Sequence, residues 1–549
     1  MENKLDPQLL SVDSIAGQDI SFPATFRARG EYMPLTYVLR LSPAVHRVLS
    51  TSPQDGIYSS SEIGFDRAQA FSTYLHETVH WWQHIGSTYG LMSSLSYPTR
   101  AHANHGSIKK LISLGELKKS VLQMASMATE EPSTPETISG LANIIVNNHF
   151  DLNVFSRFAY NQEFAMASAS SNMFESLGHA IRMTIGLNLL TMATVVDRDC
   201  AFLPDPRSWS EAFKELREKK VEGFYYGSRV GIWPIGTREI LEGLACFSQM
   251  QYLHFASGGQ FEWDVFRNIG ILHGVYESAF KEFLLQTEIG WPTSINDPAV
   301  ALFMLICDMA INPGAGFPFD PSPKFENIID DTLPGIRFTA MSRKIRLEFP
   351  HLLRAITNYS RAEYEAVSEQ ISAAMWVPSP LQISARCEKW ATGAMSNLME
   401  EYRTYDYKPI NHVVRVLLSH FLAFNQDKLV VPEIFCWPGA WMSGDNVSQR
   451  VADVFERHGA MFVDRETDSG IYPRMRKGYD ESAVQRMFDD FYAATVIYEL
   501  TDKLIVKPGP FAYKYDWLNP SATPAEFKQF ADRHFNAAYG LAPDEIEVF

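Results

Sequence analysis

The sequence predicts a mainly α-helical protein with a minor β component. Apolar residues recur at the three- and four-residue spacing of helices from about residue 65 to about residue 538. Stretches with β character are short, at residues 36–41 and 221–233, and turn residues follow the first of them at 52–56. Of the 549 residues, 46% are hydrophobic and 20% are charged, which is typical of a globular protein with ample core material.

Charge and cysteine content argue against several classes of function. The formal net charge is -16, which disfavours binding to nucleic acid or to an anionic membrane. The cysteines are odd in number and form no C-x-x-C pair, so we expect neither a disulfide framework nor a cysteine-ligated zinc. The first residues do not resemble a signal peptide. The sequence contains no run of about twenty apolar residues, so we expect no membrane span. We therefore expect a cytoplasmic protein.

The first informative element is a helix predicted over residues 65–85, which carries an H-E-x-x-H sequence at residues 76–80. Residues four apart lie on the same face of an α-helix, so His76 and His80 can reach one metal ion. Glu77 lies roughly 100° round the helix from His76. A carboxylate beside a metal can take a proton from water and later give it to a leaving amine. Two imidazoles with an open position are typical of catalytic zinc.

The residues that flank this motif favour a buried helix. They are uncharged, contain no proline and spread apolar surface around most of the helix: Phe71, Tyr74, Leu75, Thr78, Val79 and Trp82. The alternative is a pair of core histidines whose ring nitrogens bond to backbone carbonyls. In all these positions the stretch resembles the metal helix of the zincin metallopeptidases.

The chain that follows this helix offers weaker signals. Pro98 is expected to interrupt the helix, and the H-x-x-H at residues 102–105 is expected to lie in a solvated loop. A long helical pattern from about residue 158 to 190 carries Glu175 and His179. This pair would join His76, Glu77 and His80 in a two-metal carboxylate site inside a helical bundle if the protein were of the di-iron class.

The second informative element is a helix predicted over residues 237–254. Thr237 is a suitable N-cap, and Glu239 suits the first turn, where it interacts with the helix dipole. Glu242 lies among apolar neighbours. Burying a lone carboxylate is costly, and a metal ion on a facing helix would supply its partner.

The residues 242–245, Glu-Gly-Leu-Ala, resemble the Glu-Gly-x-Ala that carries the third zinc ligand of gluzincin metallopeptidases. The resemblance implies that His76, His80 and Glu242 bind Zn²⁺ and that Glu77 is the general base. The chain departs from the gluzincin pattern because about 160 residues separate Glu242 from the histidines, and because Cys246 replaces the usual acidic residue. The two motifs cover about 30 of 549 residues.

Other assignments stay open at this stage. Glu175 and Glu239 are alternative third ligands. His84 has turned about 80° away from His76, so it is expected beside a ligand or at the rim of the site. The lone acid in an apolar helix ending near residue 312, Asp308, is expected either to orient a zinc-bound imidazole or to bond to a backbone N–H. The candidate oxyanion donors are Tyr225, Tyr226, His254 and His273.

A Gly- and Pro-rich segment at residues 314–324 predicts a boundary between two regions. Residues 1–320 are expected to form a zincin-like metallohydrolase domain. Residues 321–549 are expected to be a helical region that covers the site or recognises something. Their aromatic clusters, such as residues 435–441, are expected in the core. We also consider a regulatory protein partner that keeps the enzyme latent.

The combined prediction is a zinc-dependent hydrolase with a zincin-like helical catalytic core. The resemblance implies a metallopeptidase that acts on a peptide or protein substrate, with no nucleic-acid or membrane partner. Two other functions stay open. One is a di-iron or other redox protein that uses Glu175 and His179, and the other is a non-catalytic binding protein stabilised by its metal.

Overall fold

The computed structural model describes residues 5–6, 8–10, 29–50, 64–130, 136–321, 324–476, 478–515 and 517–549. Of the described residues, 66% are helical and 4% lie in strands, which confirms the predicted mainly α fold with a minor β component. The turn predicted at residues 52–56 lies outside the described residues.

The helices up to the predicted boundary include both informative elements, and these end within two residues of their predicted limits. They are α1 (Pro43–Ser50), α2 (Phe65–Gly86), α3 (Thr88–Leu114), α4 (Val121–Glu130), α5 (Glu136–Tyr160), α6 (Gln162–Ala169), α7 (Leu177–Val196), α8 (Ser210–Glu218), α9 (Thr237–Ala256), α10 (Trp263–Ile269), α11 (Val275–Thr287) and α12 (Pro298–Ala310).

The helices beyond the boundary continue the same architecture. They are α13 (Ile328–Thr332), α14 (Pro334–Glu348), α15 (Arg361–Met375), α16 (Pro380–Thr392), α17 (Ser396–Thr404), α18 (His412–Val430), α19 (Pro432–Cys436), α20 (Pro438–Trp441), α21 (Gln449–Arg457), α22 (Glu481–Val506) and α23 (Pro524–Tyr539).

Two small sheets complete the described chain. Their strands are β1 (Gly30–Met33), β2 (Val38–Leu41), β3 (Lys118–Lys119), β4 (Phe462–Arg465), β5 (Asp468–Pro473) and β6 (Glu547–Val548). The larger sheet has the order β1-β2-β4-β5, with β1 antiparallel to β2, β2 parallel to β4 and β4 antiparallel to β5. Among the described residues, strand β1 is therefore an edge strand, and it packs against α2.

Residues from both sides of the predicted boundary form one buried cluster. The Trp82 indole of α2 donates a hydrogen bond of 2.8 Å to the His458 carbonyl and contacts the rings of Phe424, Phe435 and Phe455. Trp82 lies two residues after His80, on a different side of the helix. The second half of the chain thus supports α2 from behind the histidines. The division into two regions stays a prediction.

Helix α3 contradicts the predicted break and loop, because it runs through Pro98 and carries both His102 and His105. A proline inside a helix leaves the carbonyl four residues earlier without its N–H donor. Here that carbonyl belongs to Ser94, and the Tyr37 hydroxyl donates a hydrogen bond of 2.9 Å to it. A residue distant in sequence therefore compensates for the proline.

Two further predicted elements were wrong. The helical pattern over 158–190 is interrupted after Ala169, and α7 starts afresh with Ser176 as its N-cap. Residues 221–233 form turns and loop rather than a strand. Gly223 and Gly227 adopt φ angles of 87° and 76°, a left-handed conformation that breaks an extended strand.

Helix α7 is the one helix of the described chain with the length and apolar composition of a membrane span, and 56% of its apolar window is buried inside the protein. Buried core helices have the same composition, so this helix is weak evidence for a membrane span.

Candidate metal centre

Helices α2 and α9 carry the candidate ligands and pack against each other. Helix α2 ends at Gly86, where the Ser87 hydroxyl accepts a hydrogen bond of 2.9 Å from the Gly90 N–H and starts α3. The N-cap of α9 is Gly236 rather than the predicted Thr237. A Cβ at residue 236 would lie 2.1 Å from the Tyr160 carbonyl oxygen. This close approach requires glycine at the start of α9.

Three predicted ligands converge between these helices. The Nε2 atoms of His76 and His80 lie 3.1 Å apart. The Glu242 Oε2 atom lies 3.2 Å from His80 Nε2 and 3.7 Å from His76 Nε2. Among the described residues, this is the one group of three or more His, Cys, Asp or Glu whose ligand atoms all lie within 4.8 Å of one another.

The spacing of these atoms fits a zinc ion. Zinc takes nitrogen and oxygen ligands at about 2.0–2.2 Å, and two ligands of a tetrahedral ion then lie about 3.3–3.5 Å apart. The three observed separations, from 3.1 to 3.7 Å, are close to this value. The donor set of two imidazoles and one carboxylate also suits zinc, although it does not identify the metal.

Gln83 orients one of the two rings. Its Oε1 atom lies 2.9 Å from His80 Nδ1 and accepts the proton of that nitrogen, which leaves His80 Nε2 free to bind an ion. The Gln83 amide donates in turn to the Leu241 carbonyl at 2.9 Å. Nδ1 of His76, in contrast, is buried without a hydrogen-bond partner among the described residues.

The carboxylate of Glu242 makes this site attractive to positive charge. Burial alone would lower the pKa of His80, but the charge and hydrogen bond of Glu242 raise it to about 9. Burial likewise works against ionisation of Glu242, and the two histidines outweigh it, so the pKa of Glu242 falls well below its usual range. An ionised carboxylate beside two imidazoles is the charge arrangement of a cation site.

Glu77 lies beside the ligands under the edge strand. Its side chain is 3% exposed, and a Cβ on Gly30 of β1 would lie 2.6 Å from its Cγ and 2.8 Å from its Oε1. Glycine at position 30 therefore lets the β1 backbone approach the Glu77 carboxylate. Burial, then the charge of Glu77, raises the pKa of Glu31, the residue that follows Gly30 in β1.

Two tyrosines near the ligands were not among the predicted oxyanion donors. The Tyr276 ring of α11 lies 6.1 Å from the His76 ring, measured between centroids. The Tyr160 carbonyl, at the end of α5, lies against Gly236 at the start of α9, and burial raises the pKa of the Tyr160 phenol while the charge of Arg238 lowers it. No local spacing in the sequence signals either residue, because helices far apart in the chain bring them to the site.

Three of the predicted oxyanion donors have contacts or exposure that can be described. Tyr226 is 71% exposed. The His254 ring bonds through Nδ1 to the Phe261 carbonyl at 2.8 Å. His273 is exposed and packs against Tyr276, with 5.7 Å between ring centroids.

The alternative ligands are occupied elsewhere. Glu175 lies 3.5 Å from His179 Nδ1, but their other partners are Arg217 and Asp151, at 3.2 Å each, and they do not join the His76 group. The Glu239 carboxylate accepts a hydrogen bond of 2.7 Å from the Gly236 N–H, which is a helix-capping role.

His84 and Asp308 also have partners away from the ligands. The His84 ring lies 2.9 Å from the Tyr32 hydroxyl. Neither expectation for Asp308 matches its contacts, since its carboxylate accepts from the Lys428 ammonium at 2.6 Å and from the Tyr364 hydroxyl at 2.7 Å. The lone acid of an apolar helix needed a buried partner, and a lysine 120 residues away supplies it.

Comparison with protein-family models, with curated proteins and with solved structures finds no match to this chain. The likeness to zincins therefore consists of the H-E-x-x-H and Glu-Gly-Leu-Ala sequences.

Proposed function

We propose that this protein is a zinc-dependent hydrolase, and that its substrate bond is a peptide bond. The observation that carries the proposal is the convergence of His76 Nε2, His80 Nε2 and Glu242 Oε2 from two helices, next to the buried Glu77. Histidines whose ring nitrogens bonded to backbone carbonyls would not bring a carboxylate oxygen to 3.2 Å from His80 Nε2.

In this proposal, His76, His80 and Glu242 hold the ion and Glu77 handles protons. Zinc supplies Lewis acidity and lowers the pKa of water that it binds. The Glu77 carboxylate accepts the proton of the attacking water and delivers it to the nitrogen of the leaving amine. Burial keeps bulk water away from this carboxylate, which strengthens its electrostatic interactions.

The phenols near the ligands suit the remaining role. A tetrahedral intermediate carries negative charge on the former carbonyl oxygen, and a positioned O–H donor stabilises it. The Tyr276 ring lies 6.1 Å from the His76 ring, measured between centroids, and the Tyr160 backbone lies against Gly236 at the start of α9, the helix that carries Glu242. We assign this role to Tyr276 first, because its ring is within contact range of a ligand ring.

The edge strand supports a peptide as substrate. Strand β1 pairs with β2 on one side and with no other strand among the described residues. Its first residue, Gly30, brings extended backbone against Glu77. An extended peptide of any sequence can form main-chain hydrogen bonds with such an edge. Pairing of this kind would bring a scissile bond beside the general base.

The test combines metal content with peptide hydrolysis. Wild type is expected to hold about one zinc per chain and to cleave members of an internally quenched peptide library. Glu77→Gln should retain the zinc and lose activity by a factor of about 100 or more, because only the proton acceptor is removed. Glu211→Gln, on the exposed face of α8, is the matched control and should change neither quantity.

The ligand set is tested with the same measurement. Glu242→Ala should lose the zinc, whereas Glu239→Ala, three residues away on the same helix, should keep it. Zinc retained in Glu242→Ala would contradict the ligand set. A zinc protein that cleaves no peptide, and whose Glu77→Gln variant behaves as wild type, would instead support the non-catalytic alternative.

A further inference from the structure

A cavity of about 1020 Å³ lies at the Gly- and Pro-rich segment that the sequence predicts as a boundary. Residues 314–321 form one wall, and α16 with the turn before it forms another. None of the lining residues belongs to the candidate metal centre. The volume is at the upper end of the range of about 300–1,000 Å³ that is usual for small organic ligands, so the cavity is sized for a molecule of several rings.

Aromatic side chains from three separate parts of the chain line this cavity. The Trp390 ring of α16 lies 5.1 Å from the Phe319 ring and 6.2 Å from the Phe202 ring, measured between centroids. The Arg386 guanidinium lies 5.2 Å from the Phe319 centroid on top of the ring. Aromatic faces are apolar and carry partial negative charge, so they attract C–H bonds with a partial positive charge.

Trp376 adds an exposed indole to the lining. It is 92% exposed, more than any other large hydrophobic residue among the described residues. It ends α15 with a φ of 57°, and the next N–H, of Val377, donates a hydrogen bond of 3.1 Å to the Ser372 carbonyl. Pro378 then packs against Gly314, where a Cβ would lie 2.9 Å from the Pro378 Cβ. A constrained turn thus presents an indole that gains nothing from burial in the free protein but would gain from a ligand that covers it.

The polar side chains of the lining offer both hydrogen-bond donors and acceptors. They are three cations, two carboxylates and one amide: Lys324, Arg386, Lys389, Asp320, Asp331 and Asn327. Within the part of the chain that the structure describes, the side chains of Lys389, Asp320 and Asn327 form no hydrogen bond or ion pair. Their hydrogen-bonding capacity is therefore available to a ligand.

This combination favours an uncharged ligand that carries many hydroxyl groups. An anion would meet two carboxylates, and a cation would meet three positive side chains. A hydroxyl group, in contrast, donates to a carboxylate and accepts from an ammonium or an amide. A sugar ring has hydroxyl groups at its edge and C–H bonds on its faces, so its edge matches the polar residues and its faces match the aromatic rings.

We propose that this cavity binds a neutral oligosaccharide. One sugar ring stacks on Trp376, and another lies against Trp390. The hydroxyl groups bond to Asp320, Asn327 and Lys389. The Gly- and Pro-rich segment then serves as a wall of a carbohydrate site, and this proposal is independent of the hydrolase activity.

Binding of the full chain to a glycan array, followed by calorimetric titration with the best-bound glycan, tests the proposal. The array carries neutral oligosaccharides of glucose, xylose, mannose, galactose and N-acetylglucosamine, together with uronic-acid and sulfated glycans. We expect a neutral glycan to bind, with an affinity that changes by less than about twofold between about 0.05 and about 0.5 M NaCl, because salt screens only charged contacts. AMP, an aromatic anion, is titrated in parallel and should bind at least about tenfold more weakly.

Variants connect the binding to the cavity. Trp376→Ala should weaken the glycan by at least about tenfold with an unchanged Tm, because the indole is exposed, whereas Trp376→Phe keeps a ring and should lose less. Tyr226→Ala, at an exposed ring outside the cavity, is the matched control and should bind as wild type does. Asp320→Asn and Lys389→Gln should each weaken the glycan several-fold, since each removes a hydrogen-bonding partner.

Four results would overturn the proposal. They are an array on which no neutral glycan binds, a preference for the charged glycans or AMP, wild-type affinity in Trp376→Ala, and opposite effects of Asp320→Asn and Lys389→Gln. The last result would identify a charged ligand, because such a ligand is helped by the loss of one sign of charge and weakened by the loss of the other.

Discussion

Gln83 Oε1 lies 2.9 Å from His80 Nδ1, one turn further along the same helix. Because the Gln83 amide also bonds to the carbonyl of Leu241, the residue before Glu242, one side chain fixes a ligand ring of α2 against the ligand helix α9. A hydrogen bond of this kind sets the tautomer and orientation of a metal-binding imidazole.

Replacement of Gln83 should therefore weaken metal binding without removing a ligand. Gln83→Leu is expected to lower zinc affinity by a factor of about 10–100, as measured by competition with a chelator of known affinity. Gln83→Glu keeps an acceptor for His80 Nδ1 but loses the donor to the Leu241 carbonyl, so affinity closer to wild type than in the Leu variant would assign the effect to the His80 contact. Equal affinity of the Leu variant and wild type would show that packing alone orients the ring.

Gly30 should control the position of Glu77, the proposed general base. In Gly30→Ala, the new Cβ would lie 2.6 Å from Glu77 Cγ, so the carboxylate or strand β1 must move. We expect the rate of peptide hydrolysis to fall by about 10- to 100-fold while zinc content stays the same, because a shift of about 1 Å misplaces a catalytic group. Gly106→Ala, which meets open space on α3, is the control and should be fully active.

The ion pair between Asp308 and Lys428 should be a major contributor to stability across the predicted boundary. Both side chains are at most 8% exposed, and they join α12 to α18. Lys428→Met leaves a buried carboxylate without its cation and should reduce the free energy of unfolding by about 3–5 kcal/mol, as measured by urea denaturation. Lys219→Met, at an exposed pair on α8, should have no measurable effect.

The double variant Asp308→Leu with Lys428→Met separates the two contributions. It removes both charges, so it should recover part of the lost stability, because replacing a whole buried pair costs less than breaking it. A double variant no more stable than Lys428→Met would show that the Tyr364 and Asn312 contacts to Asp308, rather than the ion pair, dominate.

His420 should make the folded protein sensitive to acid. Burial, together with the charge of Arg476, lowers the pKa of this histidine to about 3. In the unfolded chain a histidine titrates near about 6.5, so between these values only the unfolded state takes up the proton. The free energy of unfolding should therefore fall as the pH falls from about 6.5 towards 3.

The measurement is urea denaturation of wild type and His420→Gln between pH 7 and 4. The slope of stability against pH should be shallower in the variant, by up to about 1.4 kcal/mol per pH unit. Comparing slopes rather than absolute stabilities separates the titration from the packing change. Parallel slopes would show that His420 has the same pKa in the folded and the unfolded state.

The two ligands on one helix could be predicted from the sequence because their relationship is local. The spacing of His76 and His80 and the position of Glu77 follow from helical periodicity, and α2 spans Phe65–Gly86 against a prediction of 65–85. Glu242 could be named as a candidate because a lone acid in an apolar helix needs a partner. Its distance of 3.2 Å from His80 Nε2 is a property of helix packing.

Only the tertiary structure decided the features that depend on residues far apart in the chain. Tyr37 satisfies the carbonyl that Pro98 leaves open, so a predicted break became continuous helix and moved His102 and His105 from a loop to a helix. Gly30 reaches Glu77 across 47 residues, and Lys428 reaches Asp308 across 120. Local periodicity reports which face of a helix is apolar, whereas the packing of the whole chain selects which neighbour covers it.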